Sequence, residues 1–218
     1  MNRASSLTAV ALASALALAG CGTGGEQNTD AASETTSSTA AATGAGSPSS
    51  TPSGATSGEP IAEEHNDDDV MFAQMMIPHH QQAVDMSETL LAKDDIPADV
   101  QDFAQKVIDA QGPEIDRMNA MLETWEEDPV TGDMGEMDHG GMSGMMSEED
   151  MTALEDAQGT EAARLYLEQM TAHHEGAVDM ARDEVTDGQN PQAIALAEQV
   201  IEDQEAEIAQ MQQMLNEL

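Results

Sequence analysis

The chain has 218 residues, with six Lys+Arg against 43 Asp+Glu and a formal net charge of -37. Such a chain repels phosphate backbones, which excludes nucleic acid as a partner and favours cations. Aromatic residues make up only 2%, yet there are 17 methionines, whose thioethers fill irregular cores and bind soft metals.

The N-terminus reads MNRASSLTAVALASALALAGC, with Arg3 before an apolar run of about 13 residues. That run is shorter than the ~20 residues of a membrane-spanning helix. Its end, LAGC at residues 18–21, resembles the bacterial lipobox, which is cut before a cysteine that is then lipidated. Residues 1–20 are therefore predicted to be a lipoprotein signal peptide, with Cys21 the lipidation site. Cys21 is the single cysteine, so the mature chain has neither a disulfide nor a thiolate metal site, which suits an oxidising exterior. Residues 21–65 continue as a Ser/Thr/Ala/Gly-rich tether that cannot bury a core.

From residue 66 onwards a helical pattern takes over. Phe72, Met76, His79, Ala83, Met86 and Leu90 alternate steps of four and three, the core stripe of a bundle helix. After a turn at KDDIP, Val100, Ala104, Val107, Gln111, Glu114, Met118, Met121 and Trp125 form a second stripe. A Gly-rich segment follows, then a Ser147/Asp150 capping box that predicts a short helix before Gly159. Tyr166, Met170, His173, Ala177 and Met180 repeat the first stripe, with His173 following His79 by 94 positions. Asn190 and Pro191 suit an N-cap and a first helical position, and Val200, Gln204, Glu207, Met211 and Met214 repeat the other stripe. Two repeated helical hairpins make an all-α four-helix bundle. The predicted hairpins span 66–125 and 147–218, joined by a Met/Gly-rich loop over 126–146.

Pro78 and Pro113 interrupt the first hairpin, where the second has Ala172 and Ala206. A proline in a helix interior costs about 3 kcal/mol, which predicts a kink or bulge beside the histidines. Depth along the helices then decides what can meet. His79 and Gln111 lie ~20 Å on either side of the first turn at ~1.5 Å per residue, and His173 and Gln204 repeat that arithmetic. This predicts a polar layer of His79, Gln111, Glu114, His173, Gln204 and Glu207. In it His79 faces Gln111 and Glu114, while His80 and His174 turn about 100° away. Met76, Met86, Met118, Met170, Met180 and Met211 flank the layer.

Such a layer is either a hydrogen-bond network that fixes register or a metal site. Imidazole with thioether suits copper, Cu(I) especially. A di-iron site needs Glu-x-x-His on two helices, but the residues three before His79 and His173 are Met76 and Met170. The metal reading names His79, His80, His173 and His174 as imidazole ligands, with Met76, Met86, Met170 and Met180 as thioether partners. Gln111, Glu114, Gln204 and Glu207 would orient the rings. Met134, Met137, His139, Met142, Met145 and Met146 in the loop would capture or hand over the ion. His65 reads as an incidental surface residue. A non-metal structural or partner-binding module and a di-metal redox enzyme are the alternatives.

The stretches FAQMMIPHHQQAVDM, VIDAQGPEIDRMNAML, LYLEQMTAHHEGAVDM and VIEDQEAEIAQMQQML resemble the ferritin-like family called domain of unknown function 305. The resemblance covers about residues 66–218. It implies an exported bacterial protein linked to copper handling, since at least one cyanobacterial member is a copper-binding periplasmic protein. The expectation is thus a non-enzymatic, lipid-anchored, extracytoplasmic copper binder that sequesters Cu(I) or delivers it to another copper protein.

Overall fold

A computed structural model describes residues 60–129 and 143–218. The signal peptide, Cys21, most of the tether, and Met134, Met137, His139 and Met142 lie outside the described residues. Among the described residues the regular structure is all helical: α1 (Asp67–Leu91), α2 (Ala98–Trp125), α3 (Glu148–Asp156), α4 (Gly159–Asp187) and α5 (Pro191–Glu217). None of these helices is long and apolar enough to cross a membrane.

Local chemistry sets the helix starts. Asn66 caps α1 by accepting from the Asp68 and Asp69 amides, while Asp69 returns a bond to the Asn66 amide. Three aspartates in that first turn complement the helix dipole. Ser147 and Asp150 form the expected capping box on α3, and Asn190 caps α5 ahead of Pro191. Pro97 sits at the N-cap of α2. Where a kink or bulge is expected at Pro78, α1 continues as unbroken helix through that residue, as α2 does through Pro113. Packing of the apolar stripe on both sides of the proline holds the helix together there.

The core is two apolar clusters. One gathers Leu90, Val100, Ala163 and Met214, and the other Phe72, Trp125, Ala181 and Ala193. Each cluster therefore takes opposite ends of α1 and α2, and of α4 and α5. The order is up, down, down, up, with α1 antiparallel to α4 between the outer helices. Repeat-equivalent residues of α1 and α4 meet as if across a two-fold axis. Each buried methionine or leucine in these clusters is worth roughly 1.5–3 kcal/mol.

Candidate metal centre

Between the two clusters lies a layer of buried histidines. His79, His80, His173 and His174 are all 0% exposed. The rings of His79 and His173 face each other with centroids 3.7 Å apart and planes tilted by 39°. The depth arithmetic thus brings the repeat-equivalent histidines together.

The assignment of partners within each pair is reversed, however. His80, not His79, meets Glu114, its Nε2 donating to the carboxylate at 2.8 Å, and His174 meets Glu207 at 2.7 Å. Adjacent helical residues diverge by about 100°, so one of each pair points to its hairpin partner and the other to the opposite hairpin. His79 Nε2 donates instead to the Ser143 carbonyl at 3.1 Å. These oxygens only accept, so Nε2 carries the hydrogen in all three rings and Nδ1 is left over. Nδ1 of all four histidines has no partner, and neither does Nε2 of His173.

Burial, with the neighbouring His80, lowers His79 to about 3. Burial also lowers His173 well below the usual imidazole range, with His79, His174 and His80 adding repulsion. Both rings are therefore neutral at physiological pH and keep a lone pair for a ligand.

Gln111 and Gln204 are buried in the same stretch of core, while Ile108, Ile115, Ile201 and Ile208 take the half-buried edges. Neither amide atom of Gln111 has a partner, nor does Gln204 Oε1. The expected role of Gln111 in orienting a ring is therefore absent, and Glu114 and Glu207 carry that role. The nearest thioethers are one turn away: Met76 and Met118 belong to one cluster, Met170 and Met211 to the other. Met86 and Met180 sit two turns, or ~10.5 Å, along their own helices from His79 and His173. Met180 is half-buried and lines a separate cavity. Among the described residues no three His, Cys, Asp or Glu side chains converge to hold an ion. The layer's donors are borderline imidazoles with soft thioethers one turn away, a pairing that suits copper.

Sequence reasoning missed the turn that roofs this layer. Gly144 adopts φ +82, and a Cβ there would meet the Ala172 carbonyl at 2.6 Å. Gly176 makes the reciprocal room, since a Cβ there would overlap the Ser143 carbonyl. Gln82 clamps Met146 twice, accepting from its amide at 2.7 Å and donating to its carbonyl at 2.9 Å. Met145 and Met146 are half-buried, and Met146 packs on a core cluster. Two glycines and a glutamine were the only signals of this contact. His65 is likewise not incidental: it stacks on Trp125 with centroids 4.9 Å apart.

The domain of unknown function DUF305 matches residues 69–215. No curated protein matches the chain. Among solved structures, a DUF305 fragment from Deinococcus radiodurans is 31% identical, with a TM-score of 0.64, covering 73% of this chain and 100% of its own. A DUF305 protein from Streptomyces coelicolor is 34% identical, with a TM-score of 0.63, covering 69% and 93%. CopM in its Cu(I)-bound form is 33% identical, with a TM-score of 0.57, covering 68% and 96%. CopM has also been solved with Cu(II) and with silver.

Proposed function

The chain belongs to the DUF305 family, and we propose that it is an extracytoplasmic, lipid-anchored protein that binds copper, as Cu(I), to sequester or deliver it. One observation carries this reading: five imidazole nitrogens in a buried layer have no hydrogen-bond partner in the protein. A buried unsatisfied polar atom costs about 1–3 kcal/mol. Five of them approach the whole ~5–15 kcal/mol stability of a domain. A register-fixing hydrogen-bond network would leave few such atoms, whereas a metal site leaves its ligands bare until the ion arrives.

The residues fit the ion. Glu114 and Glu207 hold His80 and His174 from behind, and the Ser143 carbonyl holds His79, each fixing the Nε2–H tautomer and leaving Nδ1 to the metal. Met76, Met118, Met170 and Met211 offer thioethers on both sides. Copper supplies no chemistry here beyond being held, and Met76 and Met170 stand where a di-metal oxidase would carry the Glu of its Glu-x-x-His motifs. CopM, solved with Cu(I), Cu(II) and silver, supports the choice of metal. The lipobox at Cys21 and a Streptomyces relative described as secreted support an extracytoplasmic location. The methionine spacing of the connecting segment supports capture or hand-over.

Equilibrium dialysis against Cu(I), Cu(II), Zn(II) and Fe(II) tests the reading. Wild type should retain Cu(I) against a modest chelator, and His79→Ala with His173→Ala should release it. Unchanged retention in that double variant would sink the histidine-layer site.

A further inference from the structure

Away from the histidines, a cavity of about 410 Å³ opens between the first turns of α1 and the last turns of α4. Asp68, Met71 and Met75 line it from α1, and Met180, Glu184 and Asp187 from α4. The acids lie toward the helix ends. The thioethers of Met75 and Met180 lie inward, nearer the histidine layer.

Two of these side chains are out of place in an ordinary bundle end. Met71 is 51% exposed, where a methionine gains little from burial and is open to oxidation. Glu184 is only 2% exposed, and no basic group or amide reaches its oxygens. The polar groups beside it are other acids, Asp68 and Asp69. Asp69 is already occupied by the amides of Asn66, Gln189 and Asn190 at 2.7, 3.0 and 2.8 Å. A buried carboxyl whose only polar neighbours are acids, with thioethers beside it, is a cation's environment. The carboxylates do not converge in threes, so a hard ion such as calcium lacks its cage. What remains is a sulfur-rich donor set with one buried oxygen in a strongly negative field.

We propose that this end cavity is a second metal site, separate from the histidine layer. It takes a soft monovalent cation, Cu(I) or Ag(I), on the thioethers of Met71, Met75 and Met180. Glu184 supplies one oxygen.

The full chain labelled with ¹³C-methyl methionine and titrated with silver nitrate in chloride-free buffer tests the site. The methyl signals of Met71, Met75 and Met180 should shift, and should still shift in the His79→Ala/His173→Ala variant. If all three stay still in both proteins, the proposal fails. Failure of the histidine-layer reading would show separately, as unmoved Met76 and Met170 signals in wild type. Glu184→Gln keeps an amide donor toward Asp69, so the fold is retained, as circular dichroism would show. Silver affinity at the end site should fall about tenfold or more, on the scale of losing one supporting group at a metal centre. Unchanged affinity would remove Glu184 from the site. As a final arm, the Met71→Leu/Met75→Leu/Met180→Leu variant should bind fewer silver ions than wild type, and an equal number would overturn the proposal.

Discussion

The two hairpins share a pattern but treat their histidines differently. His79 Nε2 is held by the Ser143 carbonyl, whereas both nitrogens of its counterpart His173 are bare. Gln82 and Gly176 occupy equivalent positions in the repeats, and both meet the turn at residues 143–146. One grips it with a long amide, while the other gives way with no side chain at all. A duplicated bundle has a single segment joining its halves, and where that segment crosses between α1 and α4 the symmetry has to break. The partners that set the tautomer absorb the break, and the open Nδ1 atoms do not.

Exchanging residues between the repeats is the sharpest way to break the comparison. Ala172→Pro, which writes Pro78 into the second copy, should cost about 3 kcal/mol or more in urea unfolding. The reverse change, Pro78→Ala, should gain less, because α1 already runs through its proline. A penalty for Ala172→Pro well below that of an interior proline would mean the second hairpin also tolerates a missing bond beside its histidines. Gly176→Gln restores the first copy's residue where the Ser143 carbonyl now sits. It should cost about 1–3 kcal/mol by overpacking. Its secondary mark is a changed environment for His79, visible in the imidazole ¹⁵N spectrum. Glu114→Gln and Glu207→Gln should each weaken Cu(I) binding by about 10–100-fold. Equal losses in a competition titration would make the hairpins equivalent partners, and a large inequality would name the dominant one.

The smallest effect is one of pH. Glu184 stands where the first repeat has Leu90. Burial, then its contact with Asp69 and the charges of Asp69 and Asp68, push Glu184 up to about 9 from 4.5. The folded chain therefore keeps a proton that the unfolded chain loses. This contribution is full below pH 4.5 and is lost as pH rises through 9. The Tm of wild type should drop relative to Glu184→Gln across that window, and parallel pH profiles would contradict it.

Much of this was legible because helical stripes are periodic. The four long helices and the meeting of His79 with His173 follow from steps of three and four and from rise per residue, and the Ser147/Asp150 cap from its residue types. The choice between His79 and His80 as the partner of Glu114 does not. It depends on how each helix is rotated about its axis, and adjacent histidines exchange roles with a modest rotation. The Ser143 contact was illegible for another reason, since a Gly-rich segment has no periodicity and its anchor is a main-chain carbonyl. The Ser87–Tyr166 hydrogen bond at 2.8 Å was hidden as well. Its equivalents are Ala181 and Phe72, so the repeat itself pointed to an apolar pair.

The face-to-face placement of His79 and His173 has a mechanical consequence. Each ring comes from a different half of the chain, so an ion gripping both works as a rivet between halves and leaves each helix's own bonding unchanged. Loading should stiffen the seam between α1 and α4 most of all, and unloading should let the halves slide before any helix melts.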